Sequence, residues 1–224
     1  MIVIEIIATT VKDALEIAAG GANRIELVSA LEEGGLTPSY DMMSKVISAV
    51  EIPVNVMIRP HASSFVYTDD EIASMKKDIE MARTFGANGV VLGTLTEDNR
   101  VDTKKLESLL SVCSGLEVTF HRAIDETDVL ASVKQLAVYK GITNILTSGG
   151  LVASLHENIE IIRRMIASAE HINILLGGRL TMDNILTVAK KTNARNFHFG
   201  SAVQIDGHVV REKVEALVSK MENV

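Results

Sequence analysis

The chain has 224 residues, 47% of them hydrophobic, and a formal net charge of −7. It is long enough for one large core, too apolar for a disordered chain, and too acidic for nucleic acid to be a general partner. A single cysteine, Cys113, excludes an intrachain disulfide and fits a reducing compartment.

The opening stretch, MIVIEIIATT, is apolar for only a few residues, carries Glu5 and lacks a basic leader, so it does not read as a signal peptide. No apolar run approaches bilayer length. The expectation is a soluble cytoplasmic protein with no membrane partner. From here one unit recurs: a short β-branched run, a loop, then a stretch with helical spacing. The β runs are IVIEIIA (2–8), RIELVSA (24–30), VNVMIRP (54–60), GVVLGTL (89–95), EVTFHRA (117–123), NILTSGG (144–150), NILLGGR (173–179) and NFHFGSA (196–202). Between them VKDALEIAAGG has helical spacing and stops at glycine. Thr37, Pro38 and Ser39 read as a helix start, and Asp69 and Asp70 open a long helix. Asp102 opens TKKLESLLSV, and Thr181 is placed to cap MDNILTVAKK. The last helix is VVREKVEALVSKME, amphipathic throughout.

Strands alternating with helices imply parallel pairing through right-handed crossovers. Eight such units predict a (β/α)₈ TIM barrel, one domain over residues 1–224. An open doubly wound sheet would more often carry a glycine-rich turn after its first strand, and ATTVKDA is not one.

Barrel strands are buried on both faces, so charged residues within them need a reason. Alternation sends Glu5, Arg24, Glu26, Asn55, Met57, Arg59, Thr119, His121, Asn196 and His198 inward. Arg122 has the opposite parity but sits where the strand ends. Catalytic groups of this fold gather at the C-terminal mouth. His121, Glu26 and Asp125 are therefore the candidate acid–base residues, with Asp125 or Glu26 orienting His121. Arg59 and Arg122 are candidates to hold an anion, together with Thr147 and Ser148 of LTSGG. Gly177 and Gly178 of LLGGR, and Gly200 and Ser201 of HFGSA, end the last two strands, where barrels often bind phosphate. Phe65 and Tyr67 lie on a long loop suited to a wall or lid. This equipment suits isomerisation, aldol cleavage or lyase chemistry on a small phosphorylated or carboxylated molecule. No CxxC, HExxH, P-loop or GxGxxG occurs. His121, His198 and Glu26 are the candidate ligands for a hard or borderline metal ion.

The segments IELVSALEEGGLTPS, IRP, FVYTDDE, TFHRAID, LTSGG and HFGSAV, in this order and spacing, resemble the CutC family, named for copper homeostasis. The resemblance spans essentially the whole chain. It implies a cytoplasmic barrel that forms homo-oligomers (a dimer or tetramer) and a link to copper, as ligand or cofactor. It places Glu5, Glu26, Arg59, His121, Arg122, Asp125, Thr147, Ser148 and His198 at family motif positions. The chain departs from the pattern in two respects. The usual Arg-Pro-Arg reads Arg59-Pro60-His61, and members proposed to bind cuprous copper carry cysteines after the first-strand Glu and the second-strand Glu-Leu. Here those stretches read EIIATT and ELVSA, so both thiols are missing.

Overall fold

A computed structural model of the chain describes residues 2–151 and 157–222. In chain order the elements are β1 (Val3–Ala8), α1 (Val11–Ala19), β2 (Arg24–Leu27), α2 (Tyr40–Ala49), β3 (Val54–Met57), α3 (Asp69–Thr84), β4 (Gly89–Leu92) and α4 (Thr103–Leu110). There follow β5 (Glu117–Phe120), α5 (Val129–Leu136), β6 (Asn144–Thr147), α6 (Ile159–Ser168), β7 (Asn173–Leu176), α7 (Ile185–Thr192) and β8 (Asn196–Phe199). A short hairpin, β9 (Gln204–Ile205) and β10 (His208–Val209), precedes α8 (Arg211–Met221). Strands β1 to β8 close into one parallel barrel in sequence order, with β8 returning to β1. The expected (β/α)₈ fold is present.

Helix starts follow local chemistry. Thr10 and Asp13 form a reciprocal capping box on α1, and Thr68 and Glu71 do the same on α3. Ser39, Asp102 and Asp128 each accept a backbone N–H at the start of α2, α4 and α5. Thr181 does not cap a helix that starts beside it. Thr181 and Asn184 exchange hydrogen bonds in a turn, and α7 begins only at Ile185. The final helix likewise begins at Arg211, because Val209 is drawn into the hairpin and its N–H donates to Asp13.

Parity along the strands decides what the barrel holds. Ile4, Ile6, Ile25, Leu27, Val54, Val56, Val118 and Phe120 pack outward into one continuous core with the helices. Burying each such side chain is worth about 1.5–3 kcal/mol. The alternate residues are polar and line up across the sheet. Glu5 pairs with Arg24 on one side and His198 on the other, and Glu26 pairs with Asn55. Val28, Met57 and Val91 form a separate small apolar cluster above them, with Ile7 and Leu31 against it. None of the described helices is long and apolar enough to cross a membrane.

Candidate functional site

A cavity of about 350 Å³ opens at the C-terminal mouth of the barrel. Its lining mixes Glu26, Arg59, His121, Arg122 and His198 with Ile7, Val28, Met57, Leu146 and Leu180. Gly178, Gly200 and Ser201 contribute from the loops after β7 and β8, and Phe65 from the loop after β3.

The floor is a buried cluster of Glu5, Glu26 and His198, whose ligand-capable atoms all lie within 4.8 Å of one another. His198 Nδ1 is 2.8 Å from Glu5 Oε1, and His198 Nε2 is 3.7 Å from Glu26 Oε2. Glu5 Oε2 also accepts from Arg24 Nε at 2.6 Å and from Asn55 at 3.4 Å. Arg24 reaches on to Glu117 at 3.2 Å. Burial favours the neutral form of Glu5, but Arg24 and His198 outweigh it and hold its pKa below the usual carboxylate value. Glu26 has weaker support from the same two groups. Burial pushes its pKa up to about 7, and the Glu5 charge adds to the push against the pull of His198 and Arg24. Burial would lower the His198 pKa, yet Glu26 and Glu5 raise it. Near neutral pH the floor therefore holds an ionised Glu5, an imidazole biased toward its cation, and a carboxyl shared between its two protonation states.

His121 follows a different logic. Its Nδ1 accepts the backbone N–H of Ala123 at 3.3 Å, so the neutral ring carries its proton on Nε2. Nε2 is buried and has no hydrogen-bond partner among the described residues. Burial, reinforced by the Arg59 charge, pushes the His121 pKa down to about 3. With that shift and an unpartnered Nε2, the imidazole is placed as a neutral hydrogen-bond donor rather than as the near-neutral acid–base group expected. A Cβ on Gly93 would lie 2.5 Å from His121 Nδ1, so glycine is required for the ring to seat there.

Asp125 also needs correction. It was expected to orient His121, but its carboxylate faces elsewhere. It accepts from Thr147 Oγ1, from the backbone N–H groups of Ser148 and Gly150, from Ser148 Oγ at 2.7 Å, and from Arg122 Nε at 2.9 Å. Thr147 and Ser148, expected to touch substrate, are spent on this carboxylate and do not line the cavity. Asp125 fastens the β6 loop and aims Arg122. The ambiguity of Arg122 is resolved by the 3₁₀ turn over Arg122–Glu126, which starts as β5 ends. It turns the side chain back toward the mouth, where Ser148 Oγ accepts from Arg122 at 3.2 Å and half the side chain stays exposed.

Arg59 lines the cavity but much of its guanidinium is engaged. It donates to the carbonyls of Glu33, Gly35 and Ala62 and lies 4.7 Å from the Phe65 ring centroid. It clasps the loop after β2 to the loop after β3 as much as it faces a ligand. Phe65 is a cavity wall as expected; Tyr67 is not, being 1% exposed in the helix-side core. Gly178, Gly200 and Ser201 reach the cavity, whereas Gly177 serves packing, since a Cβ there would meet Leu146 at 2.6 Å. Arg179 and Gln204 line the cavity and were not anticipated. A cation closing the LLGGR turn was the available signal for Arg179. Gln204 lies in a hairpin without a periodic signature.

The donor set does not suit cuprous copper. That ion prefers thiolate and thioether ligands. The only cysteine, Cys113, is buried after α4 with its thiol donating to Leu109 and its pKa pushed up by burial to about 11. Among the described residues, Met57 is the one soft donor lining the cavity. The floor cluster offers carboxylates and imidazole, a hard to borderline set, and Glu5 is already paired with Arg24.

The model of the CutC family matches residues 2–203. A human relative named "Copper homeostasis protein cutC homolog" is 41% identical over 196 residues, covering 87% of this chain and 71% of that protein. A "family protein CutC" of Xanthomonas campestris pv. campestris (strain 8004) is 37% identical, covering 87% of this chain and 81% of that protein. The crystal structure of CutC from Streptococcus agalactiae superposes with a TM-score of 0.85 at 33% identity, covering 91% of this chain and all of the other. Phosphoribosyl anthranilate isomerase from Thermococcus kodakaraensis superposes with a TM-score of 0.69 at 16% identity over the full length of both chains, a likeness of fold alone. With the family match over nearly the whole barrel and relatives at this identity, the chain belongs to the CutC family.

Proposed function

We propose that the chain binds a small anionic molecule, carrying a phosphate or carboxylate, at the barrel mouth and exchanges protons with it. The observation that carries this reading is the layout of the cavity. Arg122, aimed by Asp125, stands at its rim, and Glu26, with a pKa near 7, stands at its floor beside His198. A fixed guanidinium selects an anion through charge-assisted hydrogen bonds. A carboxyl poised near the working pH gives and takes a proton with little bias. Gly178 and Gly200 leave the rim open to the anion. Titration of the labelled protein with inorganic phosphate, followed by NMR, tests the reading. Saturable shifts at Arg122 and Gly178, lost in Arg122→Ala, are expected. Absence of saturable binding of phosphate and of small carboxylates overturns it.

The name carried by the human and mouse relatives supports a second reading, copper handling. The observation in its favour is the Glu5, Glu26 and His198 cluster, which suits a cupric more than a cuprous ion. Binding there would require Glu5 to give up its ion pair with Arg24. Dialysis of protein loaded with each copper oxidation state separates the readings: stoichiometric retention, lost in His198→Ala, would establish copper binding. Residence in the cytoplasm, assembly as a homo-oligomer, and the lack of nucleic-acid and membrane partners belong to the same proposal. Fractionation and analytical ultracentrifugation test the first two.

A further inference from the structure

The Phe65 ring packs against two polar groups at once. Its centroid is 4.9 Å from that of His121 and 4.7 Å from the Arg59 guanidinium carbon. Beneath it, His121 Nε2 is a donor with no acceptor among the described residues, in a residue only 3% exposed. A buried donor left unmade is unusual and calls for a partner that arrives from elsewhere. His121 and Phe65 both line the mouth cavity. The backbone at Phe65 is fixed, because its carbonyl accepts from Leu95 N at 2.8 Å. The ring itself is half-buried on a loop. A turn of the ring about its side-chain bonds would leave this backbone in place and give up its packing against the core edge and its contact with His121.

We propose that Phe65 is an aromatic gate over a latent oxygen-binding site, in which His121 Nε2–H donates to a carboxylate or carbonyl oxygen of the ligand once the ring turns aside. Acceptor chemistry is dictated by the donor: the imidazole is held neutral by burial and by Arg59, so Nε2 has a proton to offer. The nearby guanidinium favours an oxygen bearing negative charge. Because Arg59 also holds the carbonyls of Glu33, Gly35 and Ala62, the positive group stays in place while the ring moves. The gate fits the apolar wall of the cavity, since Val28, Leu31 and Met57 stand ready to flank an apolar body behind the oxygen. This rests on the reading of the mouth as an anion site and narrows the ligand to one with a second oxygen function besides the group at Arg122.

Pyruvate, which carries both a carboxylate and a ketone, is the probe. NMR of the wild-type protein follows the Phe65 ring, the His121 Nε2–H and the Arg122 side chain during titration. The expected result is one saturation curve shared by all three. In Phe65→Ala, where no ring has to be displaced, pyruvate should bind about tenfold tighter, as expected when a closed state no longer competes. Phe65→Leu should fall between, and keeps the test valid should the alanine variant fold poorly. Adding His121→Leu, which has no N–H to offer, to Phe65→Ala should remove the gain. Shifts confined to Arg122, with no gain in the Phe65 variants, would overturn the gate and leave the anion site standing. No binding by wild type or by either Phe65 variant overturns both.

Discussion

Two buried acids at the barrel mouth, Asp125 and Glu26, are almost equally hidden, at 3% and 2% exposure, and could hardly differ more. Asp125 is surrounded by donors from the β6 loop and by Arg122. Glu26 has a long contact to His198 at 3.7 Å, and its Oε1 has no hydrogen-bond partner among the described residues. Burial alone therefore does not mark a reactive carboxyl. What separates a fastener from a proton exchanger is whether donors compensate the lost solvation.

The comparison breaks first at Asp125. Asp125→Ala should cost about 3–5 kcal/mol in chemical denaturation, because removing a buried, paired charge strands Arg122, Thr147, Ser148 and Gly150 together. A loss below about 1 kcal/mol would show that the β6 loop holds itself. His121 offers the next largest effect, in acid. Its folded pKa, near 3, lies below the ordinary value of 6.5, so between those pH values the unfolded chain binds the extra proton. The contribution of His121 to stability thus falls as pH drops through that window, by several kcal/mol in all. Denaturation midpoints of His121→Gln should depend less steeply on pH there than those of wild type.

Glu26 should behave in the opposite sense. Its folded pKa, near 7, lies above the ordinary 4.5, so the folded state keeps the proton longer. Its contribution is full below about pH 4.5 and is lost as pH rises toward 7. Glu26→Gln should therefore match wild type in acid and gain on it, by about 1–3 kcal/mol, as pH approaches neutrality. The same substitution should abolish proton exchange with a bound ligand. The smallest stability effect belongs to Arg122→Ala, under about 1 kcal/mol because the side chain is half exposed. That variant should nevertheless lose phosphate binding, a split between folding and function that sharpens the contrast with Asp125.

Much of the barrel was legible in the chain. β3 begins at Val54, where the run VNVMIRP begins, and it stops at Met57 before Pro60, which has no N–H for a ladder. Elsewhere the runs overshoot the strand ends: β4 stops at Leu92, yet Thr94 and Leu95 of the following mouth loop still read as β-branched or apolar. Parity turned Glu26, His121 and His198 inward, and all three line the mouth cavity. It could not tell Asp125 from Glu26. Tyr67 was misplaced because an aromatic residue on a loop reads alike whether it covers a cavity or plugs the core.

The sequence by itself determined the eightfold alternation, the closed barrel it implies, and which face of each strand is polar. These follow from a period of two and a period of 3.6, which are local properties of the backbone. Only the tertiary structure decided the chemistry of each polar group. Asp125 is saturated by residues 22 and 23 positions away, and His198 meets Glu5 across a separation of 193. Protonation depends on such partners and on the water that burial removes, and neither is written in any short stretch of chain.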